Sequence, residues 1–365
     1  MNERFIGLMS GTSLDGVDAV LVAFDAEGGL AVQADFFLPY PLEVRAQVLS
    51  LQPAGANELD RAARLGCVLA GYYAEAVNGL LKAQQLTPDA ICAIGCHGQT
   101  IRHAPQAGYT LQIGNLALLA ELTGIDVAGD FRSRDIAAGG QGAPLVPAFH
   151  QQLFADADKA RAIVNIGGIS NLTRLTPGEA VVGFDCGPGN MLMDAWIHRH
   201  QGLAYDQDGA WAAQGKVSPA LLAAMLAEPY FAAPIPKSTG RDLFDLDWLD
   251  VLLAKHPTPA VDVQATLLEL TAVTIAEACL KHAPASRELY LCGGGAFNRV
   301  LRQRLVVLLP AVSVSDTATL GLPVHQVEAA AFAWLARQLV CRQNSSLPEV
   351  TGATGARVLG ALYPR

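Results

Sequence analysis

Three turns of the 365-residue chain combine glycine with small polar residues in a way that suits anion binding. The first lies in GLMSGTSLDGVDAVLVAF, Gly7 to Phe24, where Ser10, Gly11, Thr12, Ser13, Asp15 and Asp18 fall between two apolar runs. Glycine lets backbone N–H groups approach an anion, and the hydroxyls add donors. A plain hairpin turn at Asp15-Gly16 reads the same locally, so other segments must decide. IVNIGGISNL supplies Gly167 and Gly168, and LYLCGGGAFN supplies Gly293, Gly294 and Gly295. Facing one another, the first two turns would clamp a polyphosphate, with the third against a base or ribose.

The segment GFDCGPGNMLMDAWI carries the sharpest candidate for proton transfer. Asp185 ends an apolar strand, and Gly187, Pro188 and Gly189 turn the chain into a helix. That places the carboxylate at a strand's C-terminal edge, where open α/β sheets bind ligands. A helix N-cap is the ordinary role for such an Asp, but Asn190 is closer to the helix start and is the better cap. That leaves Asp185 open to a second role, as a general base. In DFRSRDIAAGGQGAP, Arg132 and Arg134 alternate with Asp130 and Asp135. That is either a self-paired loop or a guanidinium free to grip both oxygens of a carboxylate. His97, Gln99 and Thr100 in GCHGQTIRH follow a buried run, as structural groups or as partners of substrate hydroxyls and amides. Glu328 opens the last apolar helix, as a first-turn acid suited to the helix dipole or as a contact to substrate. His198 and His200 read as structural. FAAPIPKSTGRDLF reads as a mobile loop with Lys237, Ser238 and Thr239 within reach of substrate.

The elements that must hold these residues alternate strand and helix. RFIGLM, VDAVLVAF and AVQADFFLPY read as an antiparallel meander, followed by a long helix over about Asn57 to Gln84 and a buried strand at AICAIGC. YTLQI, a helix over Leu116 to Leu122 and IDVAG continue the alternation. DFRSRDIAAGGQGAPLVP, rich in Gly, Pro and charge, is the best candidate for a lobe boundary. Beyond it the pattern restarts with RAIVNIGGISNLTRL, AVVGFDC and a helix over Asn190 to His200. The long apolar stretch DVQATLLELTAVTIAEACLKH, ELYLCGGGAF, a helix over Asn298 to Val306 and a terminal helix over Val324 to Leu339 complete it. The repeat of strand, polar glycine turn, strand, strand and helix implies a duplicated α/β lobe.

Composition agrees with a well-buried α/β protein: 51% hydrophobic and 16% charged residues, with 35 glycines. The net charge of −9 argues against nucleic acid as a partner. The N-terminal segment lacks an export signal pattern and no apolar run reaches transmembrane length, so a cytoplasmic protein without a membrane partner is expected. The seven cysteines are scattered and read as reduced core thiols; Cys92, Cys96 and His97 have no common zinc spacing.

In order along nearly the whole chain, GLMSGTSLDGVDAV, GCHGQT, LQIGN, DFRSRDIAAGGQGAPLVP, NIGGISNL, GFDCGPGN and LCGGGAFN resemble the blocks of the anhydro-N-acetylmuramic acid kinase family, within the actin-like sugar and acetate kinases. The resemblance implies a two-lobed actin-like α/β fold of duplicated ribonuclease H-like domains with a cleft between lobes. The first lobe would be 1–133 completed by 325–365, and the second 134–324. It implies ATP-dependent, hydrolytic opening of a 1,6-anhydro sugar with phosphorylation of O6, Asp185 as the base, ATP and Mg²⁺ as cofactors, and a homodimer. ATP would meet Gly11, Thr12, Ser13, Leu14, Asp15, Gly16, Val17, Asp18, Gly167, Gly168, Gly293, Gly294 and Gly295. Substrate would meet His97, Gln99, Thr100, Arg134 at its lactyl carboxylate, with Arg132 as the alternative, and Glu328. Met9 and Ser10 stand where the wider superfamily carries an Asp, and Asn165 where it often carries an acid, which leaves Asp15 and Asp18 as the candidate metal ligands.

Overall fold

A computed structural model describes residues 3–11, 14–25, 27–241 and 243–365. The chain divides into two compact units, residues 1–149 with 326–365, and residues 150–325.

In the first unit, β1 (Glu3–Met9), β2 (Gly16–Phe24) and β3 (Leu30–Pro39) form the antiparallel meander, with Met9 opposite Asp18 across the first turn. β4 (Ala93–Cys96) joins β1 in parallel and β7 (Val127–Gly129) joins β4 in parallel; β13 (Ala361–Tyr363) closes the edge antiparallel to β7. β1 and β2 are nearly continuous apolar runs because both faces are covered, whereas edge strand β3 alternates half-buried and exposed residues. The helix Glu58–Ala83 packs its apolar stripe, including Leu65, Leu69, Tyr73, Val77 and Leu80, into the same core. On β1 and β4 the terminal helix Val327–Val340 comes close: a Cβ at Gly7 would stand 1.8 Å from Ala329 O, and one at Gly95 1.9 Å from Phe332 O. Only glycine permits that approach.

The second unit has β8 (Arg161–Ile166), β9 (Ile169–Leu175), β10 (Val182–Pro188), β11 (Glu288–Cys292) and β12 (Ser313–Asp316) in the order β10-β9-β8-β11-β12. β8, β9 and β10 are antiparallel neighbours, and β11 pairs in parallel with both β8 and β12. Order and strand direction match β3-β2-β1-β4-β7 of the first unit, so the chain has the duplicated ribonuclease H-like α/β fold of the actin-like class. Among the described residues the helix Ala260–His282 alone is long and apolar enough to cross a membrane, and 83% of its most apolar 18-residue window is buried in the protein. It is the central helix of this unit's core.

Three features differ from the sequence reading. QTIRHA forms β5 (Gln99–Ala104), which pairs with β6 (Tyr109–Ile113) as a separate hairpin. The glycine-rich stretch after Asp130, expected to separate lobes at 133/134, is pinned instead to the C-terminal segment: Gln141 N–H donates to Thr351 O at 2.8 Å and Thr354 N–H to Ala138 O at 2.8 Å. The buried Asp135 anchors both, accepting from Gly142 N–H and from the Thr351 hydroxyl, each at 2.8 Å. The division therefore falls at Phe149 and His150, inside the helix Val146–Phe154. All seven cysteines are free, four of them buried; Cys67, Cys92 and Cys341 are exposed and are not core thiols.

Candidate active site

In the first unit the β1–β2 turn is built from inside. Ser10 is buried, and its hydroxyl donates to Gln99 Oε1 at 2.6 Å and lies 3.0 Å from the Tyr40 hydroxyl. Gln99 Nε2 donates to Gly11 O at 3.4 Å, and Leu14, at φ 59°, returns its N–H to Gly11 O. The carboxamide of Gln99 is thus taken up by the turn. Past the turn, Asp18 is held among acids. Burial first, then Glu328, Asp15 and Asp35, push its carboxyl from 3.8 up to about 7. Glu328 stands in the first turn of the terminal helix, which the glycine contacts at Gly7 and Gly95 bring down onto β1 and β4. Gln326 Nε2 donates to Asp35 Oδ1 at 2.7 Å beside it.

His97, at the end of β4, is buried against Phe332, with ring centroids 4.9 Å apart. Its Nε2 lies 3.0 Å from Arg132 Nη2. A guanidinium has only donors, so Nε2 accepts and the ring proton sits on Nδ1. Burial, then the Arg132 charge, lower its pKa to about 3, which keeps the ring neutral at every ordinary pH. Arg132 also donates from Nη1 to Gly142 O at 2.8 Å.

In the second unit the glycine turns come together. Gly189 N–H donates to Gly168 O and Asn190 N–H to Gly167 O, both at 2.8 Å. The approach is tight: a Cβ at Gly189 would stand 2.3 Å from Gly167 O, one at Gly293 2.2 Å from Asn165 Oδ1, and one at Gly295 2.8 Å from Asn190 Oδ1. Gly167 and Gly293 use their own N–H groups on Ile169 O and Val324 O, and at Gly293 the missing side chain also lets the chain pass Ile166 O, which a Cβ would approach to 2.8 Å. Asn190 does not cap the helix Met191–Gln201 with its side chain; its Nδ2 donates to Ile166 O at 3.2 Å and ties two turns together.

Asp185 lies within β10, at a register shift between Asp185 and Gly187 opposite Asn171 and Ser170 of β9. Such a bulge re-aims a side chain. The carboxylate is buried, and its Oδ2 accepts the Thr239 N–H at 3.0 Å. Its backbone is held as well: Asp185 N–H donates to Lys237 O at 3.1 Å, and the Tyr230 hydroxyl donates to Asp185 O at 2.6 Å. Ser170 Oγ, Asn171 Oδ1 and Thr239 Oγ1 nearby are buried polar atoms without a hydrogen-bond partner among the described residues, and buried polar groups of this kind call for a water or ligand partner.

The family model for anhydro-N-acetylmuramic acid kinase matches residues 3–365. The chain belongs to that family. A relative of that name from Chromobacterium violaceum is 58% identical over 367 residues, covering 100% of both chains. Another, from Pseudomonas paraeruginosa, is 55% identical over 362 residues, covering 99% of both. A ROK family glucokinase from Streptomyces griseus, solved with glucose and AMPPNP, has a TM-score of 0.41 at 12% identity over 92% of this chain and 99% of that one, too loose a likeness to bear on function.

For this member of the anhydro-N-acetylmuramic acid kinase family, the residues singled out in sequence fall into distinct settings. Thr12 and Ser13 lie outside the described residues. Asp15 is exposed, Gly16 and Val17 are buried at the start of β2, and Asp18 is half-buried. Thr100 is in β5, where its hydroxyl accepts from Gln112 Nε2 at 3.3 Å. Arg134 is exposed on the short helix Ser133–Ala137, while Arg132 is the better ordered guanidinium. The segment expected as a mobile loop is tied to Asp185 through Lys237 O and Thr239 N–H. Tyr40 and Tyr230 escaped sequence reasoning, since an isolated tyrosine carries no motif; the KSTG run next to Pro236 was the available signal for the second.

Proposed function

We infer that the protein is an ATP-dependent sugar kinase acting on 1,6-anhydro-N-acetylmuramic acid, opening the anhydro ring with water and phosphorylating O6 to give N-acetylmuramic acid 6-phosphate and ADP. The family match along residues 3–365 carries this reading. Such a reaction serves cell-wall recycling; we place it in the cytoplasm, where ATP is available, and expect a homodimer.

In this reading water adds to C1 of the sugar and gives its proton to Asp185. The C1–O6 bond breaks, its electrons stay on O6, and O6 takes the γ-phosphoryl as the bond to ADP breaks. A positioned base contributes about 10²- to 10⁴-fold. The Thr239 N–H on Oδ2 supports it by fixing the carboxylate and favouring its charged form. We assign the glycine backbones around Gly167, Gly168 and Gly293–Gly295 to the nucleotide; at Gly293 and Gly295 a side chain would clash with the neighbouring turn. We assign His97 to orienting Arg132, and Arg132 or Arg134 to the lactyl carboxylate, with Gln99 and Thr100 shaping the same region and Glu328 on the sugar.

The acids around Asp18 suit a divalent cation, since their mutual repulsion is what raises Asp18 beyond the effect of burial. Among the described residues no three His, Cys, Asp or Glu side chains could hold a metal unaided. That fits Mg²⁺, which keeps waters and takes ligands from phosphates, with Asp15 and Asp18 as its protein side. When bound, it would neutralise charge on the phosphates.

Asp185→Asn tests the assignment. Turnover is expected to fall by at least about 10³-fold with ATP affinity within about twofold of wild type by calorimetry. Unchanged turnover would remove Asp185 from the mechanism.

A further inference from the structure

The segment that holds Asp185 is itself closed by one side chain. Lys237 Nζ donates to Tyr230 O at 2.9 Å and to Phe231 O at 3.1 Å, and stands 4.5 Å from the centre of the Tyr230 ring. These bonds join the two ends of the run from Tyr230 to Thr239. Both ends touch Asp185: the Tyr230 hydroxyl and Lys237 O hold its backbone, and Thr239 N–H holds its carboxylate. The near end is fixed to the core by packing of Tyr230 and Phe231 on Phe244, at ring distances of 5.7 and 5.5 Å. Phe231 also fills the space over Gly187, where a Cβ would come within 2.7 Å of its ring.

A half-buried lysine that gives two donors to carbonyls and lies on an aromatic face is turned toward its own segment, and ordering so long a side chain costs entropy. Resting on the reading of Asp185 as the base, we propose that Lys237 is a positioning residue for it: its ammonium closes the 230–239 segment so that the Thr239 N–H stays on the Asp185 carboxylate, and it keeps a positive charge beside that carboxylate. Lys237 therefore acts through Asp185 and not by touching the sugar.

Tyr230 and Lys237 face Asp185 from the segment, Cys186 follows it on β10, and Lys281 and His282 approach Lys237 from the end of the helix Ala260–His282. Asn171, its cross-strand partner, is uncharged. Burial holds the Cys186 thiol and Tyr230 phenol well above their usual values, so both are neutral at working pH. Burial lowers Lys237, and among its charged neighbours Lys281 adds to that lowering while Asp185 opposes it.

The test compares pH profiles of wild type, Lys237→Met and Lys237→Arg on the anhydro sugar. Lys237→Met is expected to lower kcat about 10- to 100-fold with the KM for ATP within about twofold, and to move the acid limb of kcat/KM up by about half to one unit. Lys237→Arg should recover most of kcat and the limb. Wild-type kcat in Lys237→Met, or a loss with an unmoved limb and no recovery by arginine, would overturn the proposal. Should Lys237→Met fail to fold by circular dichroism, Lys237→Gln decides, since it removes the ammonium but keeps a polar side chain: a fall in kcat with the acid limb moved up supports the clasp, and wild-type kcat with an unmoved limb overturns it. Asp185→Asn separates the two claims. Retained turnover there sinks the reading of the base, whereas lost turnover beside a silent Lys237→Met sinks only the role of the lysine.

Discussion

Asp18 shows how a single side chain can report on its surroundings. Its folded pKa of about 7 lies above 3.8, so between those values the folded chain holds a proton that the unfolded chain releases. The stability this contributes is present below about pH 4 and is lost as pH rises through about 7. Asp18→Asn cannot ionise. With a chelator present, the variant should melt about 3 °C above wild type at pH 8, and the gap should narrow toward pH 4. Calorimetry across that range checks it; a gap independent of pH would show that the Asp18 carboxyl is not raised on folding. At this scale the close packing of the second unit's glycine turns was legible because glycine is unusual where it occurs there. The Ser10–Gln99 and Ser10–Tyr40 bonds were not, since partners 89 and 30 residues apart leave no local pattern.

Among the elements, the terminal helix matters most for the first unit. Its alanine-rich sequence was read as a helix, but not why it is alanine-rich. Small residues on the helix and glycine on β1 and β4 let the two backbones touch, and that sets the height of Glu328 near Asp18. Gly95→Ala would place a methyl group 1.9 Å from Phe332 O. We expect a loss of about 2 to 3 kcal/mol in urea unfolding, with turnover reduced as Glu328 shifts. A variant as stable as wild type would mean that the helix can lift from the sheet at no cost. Strands and long helices were legible from periodicity throughout. The β5–β6 hairpin was not, because QTIRHA mixes charge and apolar residues without clean alternation, and its pairing is interrupted between Thr100 and Arg102. The placement of the stretch after Asp130 was equally hidden: Asp135 finds its partner in Thr351, over two hundred residues on.

For the molecule as a whole, the repeat of strand, glycine turn, strand and strand correctly indicated duplication, and the two sheets share one order and one pattern of directions. The family match along residues 3–365 narrows the chemistry to a kinase for an anhydro amino sugar, and the proposed reaction joins water addition and phosphoryl transfer on that one sugar. That coupling is the central claim, and oxygen tracing tests it most directly. Turnover in ¹⁸O-water, quenched early and read by mass spectrometry against product merely incubated in the same water, should put one ¹⁸O on C1 of a ring-opened 6-phosphosugar and none in its phosphate. An unlabelled product that keeps its anhydro bridge, or label appearing in inorganic phosphate instead of the sugar, would contradict the account.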